Sequence, residues 1–274
     1  MRLVFSEALP DYAHYVFPYA VWGFPQGNES PQDCLAMGFL PSLPDLSRFY
    51  LCRQLRVRLE HFAPSSENRR ILRHGAHLAM QLQPRSDVSW TPQLGDFCHR
   101  YAARRWSSPP SPERIERIFH SPLTTHVASF RDREGRLSGL VTLLNDGASW
   151  FYSNAFFDPD GPSGLGAFLM TETVRKLSED GQEFLYLGTC YSRQALYKTA
   201  FRGIEFFDGN RWLDDLKALK HLLARQESPP ADHLLEDPDF LREWLPDGPA
   251  ALAQASPVTI SVHADRLTVP PEKT

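Results

Sequence analysis

Cysteine is scarce in this chain, and the 4 present are not spaced for chemistry. Cys34, Cys52, Cys98 and Cys190 form no C-x-x-C pair and have no histidine at ligand spacing, which argues against a zinc cage and a redox couple. They read as reduced, buried thiols of a cytoplasmic protein. Long apolar runs are missing too. The opening stretch MRLVFSEALPDY is broken by Glu7 and Asp11, and no later stretch approaches the ~20 apolar residues of a membrane span, so no membrane partner is expected. The 10 histidines include no H-E-x-x-H, the phosphate-loop pattern G-x-x-x-x-G-K-S/T is absent, and GPSGL misses the G-x-S-x-G elbow by one residue. Zinc-peptidase, P-loop and serine-hydrolase chemistries are thereby disfavoured.

Lysine is absent between Arg48 and Arg117, where 13 arginines face 6 acidic residues. The whole chain carries a formal charge of -4, so this basic island sits in an otherwise acidic protein. Arginine used without lysine suits planar, bidentate contacts to phosphate or carboxylate. Solvated helix faces would give the same count. With 274 residues the chain buries a sizeable core without disulfide staples.

Along the chain, residues 1–44 are rich in aromatics, proline and glycine and read as an irregular, packed segment. QLRVRLEHF alternates, placing Leu55, Val57 and Leu59 on one face and Arg56, Arg58 and Glu60 on the other, as in a half-buried strand. SSENRRILRHGAHLAMQL opens on serine caps and is expected to stay helical through Leu78, with Arg69, Arg70 and Arg73 near its start. PQLGDFCHRYAARRW and SPERIERIF are expected helices, the second capped by Ser111 with Pro112 at its first position. HVASF, RLSGLVTLL and ASWFYSNAFF, separated by DREG and NDG turns, form an antiparallel meander. A glycine loop follows, then a helix from about Gly166 to Asp180, the strand EFLYLG, the helix SRQALYKTA, the strand GIEFF and the helix WLDDLKALKHLLAR. From residue 226 on, 8 of the 23 prolines and an acidic balance suggest short helices and then a loose or docked tail. The expected division is 1–80, an N-terminal region; 81–225, the main α/β domain; and 226–274, the acidic tail.

The order meander, glycine loop, helix, strand, helix resembles the GNAT acyltransferase fold, and GPSGLGAFL resembles its phosphate-cradling turn. Ser163, Gly164, Leu165 and Gly166 would then point backbone N–H groups at an anion at a helix start. Read with the first half, the chain resembles the aminoacyl-tRNA–protein transferases of the N-degron pathway, the arginyl- and leucyl-transferases. The matching pieces are GFLPS (Gly38 to Ser42), CRQLRVRLEHF (Cys52 to Phe62), SSENRRILR (Ser65 to Arg73), FFDPDGPSGLGAF (Phe156 to Phe168), LYLG (Leu185 to Gly188), LYKTAF (Leu196 to Phe201), and Arg211 with Trp212. The family's N-terminal cysteine cluster is reduced here to Cys52, so neither metal nor cofactor is expected. Around the last strand and helix the family's aromatic pair and its spaced cysteine and methionine are lost, while Gly188, Tyr197 and Lys198 are kept.

The resemblance implies a GNAT-like mixed sheet with a smaller irregular N-terminal α+β region. It implies transfer of arginine or leucine from aminoacyl-tRNA to an amine, an acceptor protein or peptide N-terminus. Because the ester is already activated, such a site aligns the amine, accepts its proton and stabilises an oxyanion. Tyr197 or Tyr186 would donate to the departing ribose oxygen, and Asp158 would position the amine unless it only opens a DPDG turn. Backbone N–H groups near Phe156 and Phe157 would hold the oxyanion. Arg56, Arg69, Arg70 and Arg73, with Gly188 and Lys198, would contact tRNA, Lys198 pointing to solvent or a phosphate. Two alternatives stay open: a GNAT enzyme using acetyl-CoA, and a non-catalytic relative that binds tRNA or protein.

Overall fold

The computed structural model describes residues 1–7, 11, 18–227 and 234–257. The N-terminal segment is more regular than its composition suggests. Strands β1 (Arg2–Glu7) and β2 (Tyr19–Phe24), helix α1 (Pro31–Ala36), and strands β3 (Phe39–Pro41) and β4 (Phe49–Leu51) build a four-stranded antiparallel sheet ordered β1-β2-β4-β3. Two of these strands span three residues, too short for a period of two to show. Cys34, Phe39 and Phe49 are fully buried beneath them. Gly38, at φ +89, is required where this sheet meets the main body: a Cβ there would lie 2.2 Å from the Phe207 ring.

Strand β5 (Gln54–Arg58) is not half-buried. It lies inside the large sheet, and its first four residues are all buried. Arg56 is 8% exposed and donates to Glu205 at 2.6 Å, with its guanidinium over the Phe184 and Trp212 rings. The expected phosphate contact at Arg56 is therefore replaced by an internal ion pair. Helix α2 (Ser66–His74) begins at Ser65, whose side chain accepts from the Asn68 amide while Asn68 reaches back to the Ser65 amide. It stops earlier than expected. Gly75 donates to Ile71 O to close the last turn, and the following LAMQLQP is largely strand β6 (Ala79–Pro84), paired along its length with β7 (His126–Arg131). Between them lie α3 (Pro92–Arg105), capped by Thr91, and α4 (Pro112–Phe119), capped by Ser111 with Pro112 at its start, as expected.

The meander is present: β7, β8 (Leu137–Asp146) and β9 (Ser149–Phe157) pair antiparallel in sequence order. Helix α5 (Leu165–Glu179) crosses over to β10 (Phe184–Thr189), which lies parallel to β9. SRQALYKTA forms a 3-10 stretch, Arg193–Thr199, where an α-helix was expected. Then come β11 (Ile204–Phe207), β12 (Trp212–Leu213) and α6 (Leu216–Glu227). The eight-stranded mixed sheet runs β12-β11-β5-β10-β9-β8-β7-β6, so it is completed by residues from both sides of the boundary expected at residue 80. Helix α5 covers one face: Phe168, Leu169, Val174 and Leu177 pack on Leu55, Val57, Ala128, Phe130, Val141 and Leu185. Helix α7 (Pro238–Trp244) docks on α6, with Phe240 and Trp244 against His221, the Trp244 indole donating to Asp215 at 2.8 Å. A short helix α8 (Pro249–Ala255) follows. The rest of the expected tail, 228–233 and 258–274, lies outside the described residues. Among the described residues no helix is long and apolar enough to cross a membrane.

Candidate active site

A cleft opens where β9 and β10 part. Their parallel pairing spans only Ser149–Phe151 and Phe184–Tyr186, yet β9 continues to Phe157 and β10 to Thr189. Both strands carry an extra residue just past the last pair: Ser153 against β8, and Leu187 against β5, followed by Gly188 at φ +77. Such bulges bend and twist a strand, and two on neighbouring strands at one level steer them apart. Gly188 therefore shapes the opening through its backbone.

The cleft holds about 690 Å³. Its floor is Tyr152, Ala155 and Phe157 of β9; one wall is Tyr101, Arg105 and Trp106 at the end of α3; the other comprises the glycine loop, the first turns of α5 to Met170, and Gln194 and Tyr197 of the 3-10 stretch. Tyr101 packs against Phe157 with tilted rings whose centroids are 4.5 Å apart, and Arg105 lies over the same ring at 5.9 Å. The lining is thus mixed: aromatic rings and aliphatic side chains alternate with Arg105, Asp158, Ser163, Gln194 and the tyrosine hydroxyls.

At the mouth, α5 starts at Gly164, which has φ +84 and no side chain to cap the helix. The amides of Leu165, Gly166 and Ala167 have no intrahelical acceptor, so they and the helix dipole present positive potential to an anion. Gly166 has a separate reason to be glycine: a Cβ there would come within 2.9 Å of Phe157. Gly164→Ala isolates the backbone effect, because no heavy atom lies within 4 Å of the added Cβ. A loss of about 1–2 kcal/mol in urea unfolding is expected; a loss near zero would mean that α5 starts in another conformation.

A groove of about 160 Å³ adjoins the loop, lined by Arg70, Ile71 and His74 of α2 with Ser163 and Gly164. Arg70 is paired to Glu67 through two bonds of 2.6 and 2.8 Å, an exposed pair that constrains it only weakly. Arg69 and Arg73 are exposed on the same helix, Arg69 donating to Pro64 O at 2.7 Å.

Of the expected site residues, Asp158, Ser163, Gly164, Leu165, Gly166 and Tyr197 converge on the cleft. Asp158 accepts the Asp160 amide at 3.1 Å and its carbonyl accepts the Gly161 amide, forming the turn that opens DPDG. Tyr197 stands at the rim, 56% exposed; partial desolvation raises its phenol above the ordinary value, so it is protonated at neutral pH. Tyr186 does not reach this space. Leu185 and Leu187 face α5, so the pleat turns Tyr186 to the opposite face, where it is 1% exposed and packs with Leu35, Leu40, Cys52 and Phe151. Its hydroxyl accepts from Arg56 at 3.4 Å. Lys198 is also redirected: its ammonium donates to Thr189 O at 3.2 Å, and burial holds it below its ordinary value. Phe157 lines the cleft, whereas Phe156 is buried among α3 and α4 side chains.

Tyr152, Tyr101, Arg105 and Gln194 were not foreseen from the sequence. A signal existed for two of them: Tyr101 and Arg105 are four apart on α3 and share a face.

Aspartate/glutamate leucyltransferase from Chromobacterium violaceum is 30% identical over 176 residues, 59% of this chain and 68% of that protein. The chain belongs to the aspartate/glutamate leucyltransferase family. A second leucyltransferase of that name, from Rhizorhabdus wittichii, is 29% identical over 177 residues, covering 59% of this chain and 65% of its own length. The chain spans about two thirds of both leucyltransferases. No family model matches the chain. Among solved structures, ribosomal-protein-S18-alanine N-acetyltransferase from Escherichia coli is 16% identical, covers 44% of this leucyltransferase-family chain and 76% of its own, and superposes with a TM-score of 0.33.

Proposed function

We propose that the protein transfers a leucyl group from leucyl-tRNA to the amino terminus of an acceptor protein or peptide that begins with aspartate or glutamate. The observation that carries this is the cleft itself: a chamber with aromatic and aliphatic walls, an anion-attracting helix start at its mouth and a protonated phenol at its rim. The names of the relatives supply the acyl group and acceptor. An arginyl group would want a carboxylate in the chamber, and the one in its lining, Asp158, is engaged by the Asp160 amide. In this reading the amides of the α5 start and the Arg70–His74 groove hold phosphates of the acceptor end, as the arginine surplus suggested. The ester then lies inside the chamber with its ribose oxygen toward Tyr197. Binding separates this from acetyl transfer. Leucyl-tRNA should raise the melting temperature and coenzyme A should not; the reverse would replace the reading.

Arg105 suits the acidic side chain of the acceptor. It lines the cleft over the Phe157 ring, and among the described residues it has no ion-pair partner. Arg105→Gln is expected to lower kcat/KM for an Asp-initiated peptide about 10- to 100-fold, from loss of a charged hydrogen bond. An Asn-initiated peptide should be little affected. An equal loss for both peptides would move Arg105 to the tRNA side of the site.

A further inference from the structure

Tyr152 lines the cleft without a part in the preceding roles, and it is 7% exposed. Its hydroxyl oxygen is buried and has no hydrogen-bond partner among the described residues. A buried hydroxyl without a partner costs stability and is retained where something else uses it. The ring alone would pack as well in phenylalanine. Tyr152 directly follows Phe151, the last β9 residue paired to β10, so it sits at the inner end of the opening. Tyr197 and Tyr101 are close enough that their charged forms would oppose its ionisation, and burial acts first in holding its phenol well above the ordinary value. It is therefore a proton-bearing group at any working pH, a hydrogen-bond donor and not a base.

We infer that the Tyr152 hydroxyl is a catalytic group, donating a hydrogen bond to the carbonyl oxygen of the bound aminoacyl ester and stabilising that oxygen as it becomes the tetrahedral oxyanion. This rests on the leucyl-transfer reading. The ester spans from the inner end of the cleft to the rim, so its carbonyl faces Tyr152 while its ribose oxygen faces Tyr197. The acceptor nitrogen bonds to the carbonyl carbon and the bond to the ribose oxygen breaks. Tyr197 gives its proton to that oxygen and regains one from the nitrogen, and Tyr152 keeps its own throughout. The substrate completes the hydrogen bond that the free protein lacks.

Tyr152→Phe tests this, because removing a partnerless hydroxyl and removing a structural one have opposite effects on stability. Single-turnover transfer of labelled leucine from leucyl-tRNA to an Asp-initiated peptide is measured beside the melting temperature. Affinity for an unreactive amide analogue of the leucyl-adenosine end is measured as well. The expected results are a rate about 100- to 1,000-fold lower, analogue affinity within about threefold since a ground-state carbonyl gains little from the bond, and a melting temperature unchanged or a few degrees higher. A variant with wild-type rate overturns the assignment. So does a variant that melts well below wild type, since the hydroxyl then serves the fold. A wild-type protein that transfers nothing from leucyl-tRNA refutes instead the reading on which the assignment rests.

Discussion

Tyr197→Phe is expected to slow aminoacyl transfer by about 10²–10⁴-fold, the usual worth of a positioned general acid. The departing ribose oxygen is a poor leaving group unless protonated as its bond to carbon breaks, and Tyr197 is the exposed phenol of the cleft lining. Its phenol is shifted upward by partial desolvation, a modest effect for a side chain 56% exposed. A proton donor with a raised pKa is fully loaded at neutral pH and loses its proton only as pH climbs past the raised value. The Tyr197-dependent part of the rate should hence be flat through neutrality and decline only in strong alkali. The variant should melt within a degree or two of wild type, because an exposed rim hydroxyl contributes little to folding. A variant with wild-type single-turnover rate would remove Tyr197 from the chemistry.

Glu205→Ala is expected to cost about 3–5 kcal/mol of folding free energy, because it strips a buried arginine of its counter-charge. Arg56 is nearly enclosed, between the Phe184 ring at 4.1 Å and the Trp212 ring at 4.0 Å, in the strand between β10 and β11. Glu205 accepts from Arg56 at 2.6 Å and from Arg58 at 2.9 Å. Arg58 is more exposed and can turn to water, whereas Arg56 would keep, as a hydrogen bond among the described residues, its long contact to the Tyr186 hydroxyl. Replacing both ends of the pair, with Arg56→Met and Glu205→Leu, should recover most of the loss, since two apolar side chains avoid desolvating either charge. Urea unfolding of the single and double variants decides between these outcomes. A single variant as stable as wild type would show that Arg56 escapes to solvent.

The meander, the α5 helix, its glycine start and the strand after it were legible because their signals are local: alternation, turn dipeptides, a cap or a positive-φ glycine. The N-terminal sheet was not, since Phe39–Pro41 and Phe49–Leu51 are too short for periodicity and gain their order from pairing partners elsewhere in the chain. Arg56 was misplaced for a related reason. Alternation correctly separated it from Leu55 and Val57, but polar was taken to mean solvated, and only the insertion of β5 between β10 and β11 buries that face. Tyr186 and Tyr152 show the same dependence. Each belongs to a strand with both faces covered, so which tyrosine enters the cleft depends on which face α5 occupies, a relation fixed at long range. Lys198 turned inward because the 3-10 stretch brings it back over the Thr189 carbonyl.

The most direct test is a side-by-side transfer assay with leucyl-tRNA, arginyl-tRNA and acetyl-CoA, each labelled on the acyl group, and peptides that differ only in their first residue. Label should pass from leucyl-tRNA to peptides beginning with Asp or Glu and not from the other two donors. Label passing from acetyl-CoA alone would contradict the proposed reaction.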